Sequence, residues 1–120
     1  MANQVVWVDI PVKDLDRAIE FYSAVLGKPV TKENFGPMSL GLLPHENDDV
    51  GGCLVQRDDE QPSAQGILIY LNANGRLDEA TKAAERHGGK VLLARESLGP
   101  YGSRSIIVDC EGNRVALHSM

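Results

Sequence analysis

Cysteine is scarce in this chain: Cys53 and Cys110 are the only two, and they lie far apart with no CxxC spacing. That excludes a disulfide scaffold and a thiolate zinc ribbon, and predicts two free thiols. No stretch approaches the roughly 20 apolar residues of a membrane-crossing helix. Lys and Arg are not clustered, and the formal net charge is −5. Nucleic acid and anionic membrane are therefore poor partners, because both demand concentrated positive charge. The opening Met1-Ala2-Asn3-Gln4 lacks the basic and apolar regions of a secretory leader, so the expected location is the cytoplasm. Aromatics are few, one Trp, three Tyr and two Phe, so each is worth placing.

What is present is ordered. At 120 residues the chain has room for one core, and a single domain over 1–120 is expected. Val5 to Val12 is β-branched and reads as a strand, with Val6, Val8 and Ile10 on one face and Trp7 and Asp9 on the other. Leu15, Ala18, Ile19, Tyr22, Val25 and Leu26 then recur at spacings of three and four. That is an amphipathic helix, with Asp14 to cap its start and Gly27 to stop it. Shorter strands follow near 28–31, 38–43 and 52–56, with Pro44 to Asp49 as a polar turn. The polar stretch Asp58 to Gln65 reads as a linker.

After it the pattern restarts. Gly66 to Asn72 is a strand, Leu77 to His87 a helix ended by Gly88-Gly89, and strands follow near 90–93, 104–108 and 113–118. Asp109-Cys110-Glu111-Gly112 reads as the turn between the last two. Leu15-Asp16, Ala18 and Gly27-Lys28 fall on Leu77-Asp78, Ala80 and Gly89-Lys90 at one offset of 62 residues. Repeated order and repeated spacing together point to duplication, with module one at about 1–60 and module two at about 65–120.

These residues resemble a known family. The run from Trp7 through Tyr22 that ends in Val25-Leu26-Gly27, and the closing Asp109-Cys110-Glu111-Gly112-Asn113-Arg114-Val115-Ala116-Leu117-His118, are similar to the opening and the last hairpin of a vicinal oxygen chelate domain. This superfamily holds the glyoxalases, bleomycin-resistance proteins and extradiol dioxygenases. The resemblance implies an α+β fold: two βαβββ modules whose strands form one curled mixed sheet, with helices outside and ligand in the concave face. It also implies a homodimer.

In the family's metal enzymes, His, Gln or Glu ligands come from the first and last strand of each module. Carried over singly, the first-strand position is Trp7. Its counterpart in module two is Ile69 by the helix offset, or Leu68 if the Asn74-Gly75 loop holds one extra residue, which is the preferred alignment. The last-strand positions are Ala116 and a residue within Cys53 to Gln56. Trp, Leu and Ala offer no lone pair to a cation, so no metal and no cofactor is expected. A displaced metal set drawing on Asp9 and His118 is the alternative. His45 and His87 read as a turn residue and a helix-end residue.

Strand alternation puts Ile67, Ile69, Leu71, Val115 and Leu117 toward the helices. Trp7, Asp9, Leu68, Tyr70, Asn72, Arg114, Ala116 and His118 fall on the opposite face, with Tyr101 and the Phe35–Met38 segment at the rim. An apolar surface with a few polar anchors suits a small molecule. The candidate ligand-binding residues are Trp7, Asp9, Tyr70, Tyr101, Arg114 and His118. Asp9 and Arg114 have a plainer use, as an ion pair closing the face. Two functions follow: a metal-free small-molecule binder, or an enzyme (lyase, isomerase or dioxygenase) with displaced ligands or acid–base chemistry on Asp9 and His118.

Overall fold

The computed structural model describes residues 3–47 and 49–120 and, of Phe35, the backbone. Module one runs β1 (Trp7–Pro11), α1 (Leu15–Leu26), β2 (Thr31–Phe35), β3 (Met38–Leu42) and β4 (Gly51–Val55). Module two runs β5 (Ile69–Asn72), α2 (Leu77–Arg86), β6 (Lys90–Ser97), β7 (Ser103–Val108) and β8 (Arg114–Ser119). The sheet orders are β1-β4-β3-β2 and β5-β8-β7-β6. In both, the first strand lies parallel to the last and the other pairs are antiparallel. Two identical topologies in sequence are the duplication that the repeat predicted.

The repeat's register is visible in two matching hydrogen bonds. Val12 N–H donates to Val55 O at 2.9 Å, and Ala73 N–H donates to His118 O at 2.7 Å. First strands therefore match at an offset of 61 residues (12 to 73), helices at 62 (15 to 77) and last strands at 63 (55 to 118). The extra residue lies in Asn74-Gly75-Arg76, where module one has only Lys13-Asp14, and Gly75 takes the left-handed conformation that the longer turn needs. Leu68 is thus the counterpart of Trp7, and Cys53 that of Ala116.

Helix α1 begins where Asp14 accepts from the Arg17 N–H at 3.2 Å and ends at Gly27, φ +69. Its face of Leu15, Ala18, Phe21, Tyr22 and Val25 is buried with Leu77, Ala80, Ala83 and Ala84 of α2 and with Ile10, Leu54, Ile107, Val115 and Leu117 of the sheets. One core thus serves both modules. Close approach is bought by missing side chains: a Cβ on Gly52 would stand 2.7 Å from Val8 O, and one on Gly89 2.7 Å from Val108 O.

Several boundaries differ from the sequence reading. Strand β2 starts at Thr31 rather than 28, because Gly27 turns the chain and Val30 N–H is still tied to Ser23 Oγ at 2.9 Å. Strand β6 runs on to Ser97, past two register shifts that break its alternation. Val6 and Ile67 precede their strands and are exposed, Ile67 at 89%, so neither faces the helices. The strands form two four-stranded mixed sheets, one from each module. The last hairpin ties the two sheets together, with Asn113 Nδ2 donating to Pro11 O of β1 at 2.8 Å.

The last hairpin is the joint between modules. Gly112, φ +101, turns it, and Asp109 Oδ1 accepts from the N–H groups of Glu111 and Asn113, each at 2.8 Å. Asp109 Oδ2 accepts from Tyr22 Oη at 2.5 Å. Glu111 takes the N–H of Lys13 and Asp14 and the guanidinium of Arg17. A carboxylate at a helix start is favoured by the dipole and by the unpaired amides there. Ser63, in the linker, donates its N–H to Asn113 Oδ1 and accepts from Arg114 N–H.

Candidate functional site

Strand alternation holds where the ladders form. Ile10, Val115 and Leu117 are buried against the helices, while Trp7 and Tyr70 remain 45% and 46% exposed on the other faces. Asp9, Arg114 and His118 lie on those faces too. The six candidates fall into three neighbourhoods.

The first centres on Trp7. Its indole N–H donates to Asp9 Oδ1 at 2.9 Å, and its ring meets that of His45 edge-on, centroids 6.4 Å apart. Gly51 gives it room, since a Cβ there would sit 2.9 Å from Trp7 Cζ3. Asp9 also accepts from Cys53 Sγ at 3.3 Å and faces Arg57 Nη2 at 3.6 Å. Burial, then the bond to Asp9, pushes the Cys53 thiol up to about 11. Asp9 therefore pairs with Arg57, not Arg114. Arg57 leaves β4 two residues past its end and reaches back across the sheet, a course that no local pattern announces.

The second centres on Tyr70. Arg104 Nη1 donates to its hydroxyl at 2.5 Å, with the guanidinium carbon 5.9 Å from the ring centroid. Arg104 also holds Glu96, which with Tyr70 raises the guanidinium's pKa still further. The His118 ring lies edge-on to Tyr70 at 6.3 Å, and His118 Nε2 bonds the Tyr101 carbonyl at 2.6 Å. A pocket of about 480 Å³ is bounded by Tyr70, Leu71, Asn72, Leu98, Tyr101 and His118. A larger cleft of about 560 Å³ adjoins it, sharing Tyr70, Leu71 and Asn72, and is closed by Val8, Leu43, His45 and Gly51 among others. Tyr70 so stands between two cavities, and His45 carries the contact on to Trp7.

The third is Arg114. Its Nη2 donates to Gly66 O at 3.0 Å, and its buried Nε has no partner among the described residues. With Asp9 it borders a small seam between β1 and β5. The Phe35–Met38 segment is the turn joining β2 and β3, and the side chain of Phe35 lies outside the described residues.

As site residues Arg104, Arg57 and His45 escaped the sequence reading, and Cys53 entered it only within the Cys53 to Gln56 range for the fourth ligand position. Arg104 left a signal: the Asp109–Gly112 turn sets the β7–β8 register, which puts Arg104 opposite His118.

The four positions from which relatives would hold a metal are Trp7, Cys53, Leu68 and Ala116. They do not fit a divalent cation. Trp7 offers an N–H that Asp9 already takes, Leu68 and Ala116 offer no donor, and Cys53 is left as a single donor, too few to hold a cation. Among the described residues no three His, Cys, Asp or Glu gather as a metal would need.

Paired βαβββ modules on one core, each with an open sheet face, define the glyoxalase-like class of α+β proteins. The chain belongs to the Glyoxalase/Bleomycin resistance protein/Dioxygenase superfamily, whose model matches residues 4–117. A "Glyoxylase-like domain-containing protein" from Didymella fabae is 28% identical over 96% of this chain and 92% of its own. A glyoxalase/bleomycin resistance protein from Albidiferax ferrireducens T118 superposes with TM-score 0.76 at 16% identity, over 98% of this chain and 99% of its own. A glyoxalase I variant from Zea mays does so with TM-score 0.69 at 21% identity, over 95% of this chain and 45% of its own. At such identities the structural likeness speaks for the fold.

Proposed function

We propose that this domain binds a small molecule on the open faces of its sheets without the family's metal. The observation that carries the reading is chemical: Trp7, Leu68 and Ala116 stand where relatives would place ligands, and Trp7 is an exposed ring held in one orientation by Asp9, Gly51 and His45. Trp7, Tyr70 and Tyr101 supply apolar contact area, with Asp9, Arg114 and His118 at the polar margin. An exposed aromatic fixed in place loses little freedom on binding, which favours affinity.

Acid–base catalysis on Asp9 and His118 draws less support. Asp9 is committed to Trp7, Cys53 and Arg57, and His118 Nε2 to a backbone carbonyl. The protein is further taken to be a cytoplasmic homodimer, with the exposed Val6, Ile67 and Leu92 as apolar surface for a second copy. No described helix is long and apolar enough to cross a membrane. Light scattering that returns a monomer at micromolar concentration removes the dimer.

The ligand reading is tested by thermal-shift screening of a metabolite and antibiotic panel, then titration. Trp7→Ala is expected to weaken any hit by more than about tenfold, as loss of a central aromatic anchor does. A hit that ignores Trp7→Ala and Tyr70→Ala alike puts the site elsewhere.

A further inference from the structure

The turn Gly99–Tyr101 between β6 and β7 stands over the smaller pocket, and little ties it to the body. Its own bonds are internal: Leu98 N–H to Gly102 O at 2.7 Å, Tyr101 N–H to Leu98 O at 3.3 Å and Gly102 N–H to Gly99 O at 3.3 Å. Gly99 N–H reaches only Ser97 Oγ, at the end of β6. Two contacts reach β8. Gly102, φ +95, lies so close that a Cβ would come within 2.3 Å of Ser119 O. His118 Nε2 meets the Tyr101 carbonyl at 2.6 Å. A carbonyl only accepts, so Nε2 carries the proton and donates.

That bond determines what the pocket is. The walls are the Tyr70 and Tyr101 rings with Leu71 and Leu98, and Asn72 and His118 complete them. Among the described residues no Lys, Arg, Asp or Glu borders the space, and its volume of about 480 Å³ suits one small molecule. Tyr101 is 74% exposed, so packing does not hold its ring in place. The backbone beneath it is held by the imidazole, whose edge also rests on Tyr70.

We propose that His118 is a positioning residue: by pinning the Tyr101 carbonyl it holds the rim turn in place, so that Tyr70 and Tyr101 wall a slot for a neutral, flat aromatic ring. This rests on the open faces being the ligand surface, and it gives His118, which also borders the pocket, a task other than proton transfer. The Nε2 donor is used on the protein itself. The ligand meets the Tyr70 ring and a Tyr101 ring whose backbone this bond fixes.

The test compares wild type with His118→Leu and His118→Gln, since a glutamine amide can replace the lost donor. Amide hydrogen exchange at Leu98 and Gly102 reads the rim with no ligand present. Fluorescence titration with 2-naphthol reads the slot. His118→Leu is expected to speed exchange at Leu98 by about tenfold or more, as loss of a tether lowers local opening cost, and to weaken 2-naphthol by about tenfold. His118→Gln restores both. Gly102→Ala, with His118 intact, loosens the same amides by pushing the turn off Ser119. Unchanged exchange in His118→Leu overturns the pin. A loosened rim with equal 2-naphthol affinity in all forms, or no saturable binding to wild type, overturns the slot. Because exchange is read without ligand, failure of the pin is separable from failure of the broader binding reading, which Trp7→Ala and Tyr70→Ala decide.

Discussion

Replacing Tyr22 by Phe removes one oxygen from the interior and tests how the two modules are joined. Tyr22 is fully buried, and its hydroxyl donates to Asp109 Oδ2 at 2.5 Å. After the change Asp109 keeps three donors: the Glu111 and Asn113 amides at 2.8 Å and Asn113 Nδ2 at 3.2 Å. The carboxylate is thus weakened, not orphaned. A hydrogen bond to a buried charge contributes about 1.5–3 kcal/mol, so about 2 kcal/mol should be lost. For a chain of this length that is about 8 °C in Tm. A second signature is pH-dependent. Burial, then the Asp109 charge, raises the Tyr22 pKa well above its ordinary value of 10. Below about pH 10 the phenol is protonated in both folded and unfolded chains, and the contribution is complete. Above it the unfolded phenol ionises while the folded one does not, so wild-type stability falls. Tyr22→Phe has no phenol to ionise, and the stability gap should narrow between pH 8 and pH 10.5. Urea unfolding at the two pH values measures this. A Tm change under about 2 °C, or a gap that stays constant with pH, refutes the reasoning.

Two other perturbations have definite expectations. The Glu111 side chain is fully buried and takes four N–H donors at the start of α1, whereas Arg17 is 54% exposed. Glu111→Gln should therefore cost about 1–3 kcal/mol and Arg17→Ala under about 1 kcal/mol, compared by denaturant unfolding; equal losses would mean that the surface arm of the pair matters as much as the buried one. Burial, and the neighbouring carboxylates, push both thiols up to about 11. Native Cys53 and Cys110 should react with iodoacetamide at pH 8 about a hundredfold more slowly than a free thiol near 8.5; labelling at the free-thiol rate contradicts this.

The legible parts of the fold were those written in local spacing. Helix α1 was read to its residue bounds because a capping Asp14, a three–four apolar rhythm and a left-handed Gly27 all coincide. The closing turn was read from Asp109 and Gly112, and the duplication from matched helices. The preferred extra residue in the Asn74-Gly75 loop agrees with the register of Ala73 on His118. Strand starts were less legible: Val5, Val6 and Ile67 are as β-branched as any strand residue, yet among the described residues no partner strand lies opposite them. The site's faces followed from alternation, so Trp7, Asp9, Tyr70 and His118 were placed correctly relative to the core. Their partners were not. Asp9 meets Arg57 and Cys53, 48 and 44 positions away, and such meetings depend on the path of coil between strands.

The hairpin at Asp109–Asn113 has a consequence for how the chain is made. Its bonds reach back to Pro11, Lys13, Arg17 and Tyr22, spanning 87 to 102 positions. While the polypeptide is being synthesised, α1 emerges before the hairpin, and Arg17 and Tyr22 lack their carboxylates until module two has followed. Module one must wait with its phenol and helix start unsatisfied. Contacts this distant in sequence slow folding and prolong exposure of apolar surface. The first half is completed by the second, so the domain becomes native only once the hairpin of module two has been made.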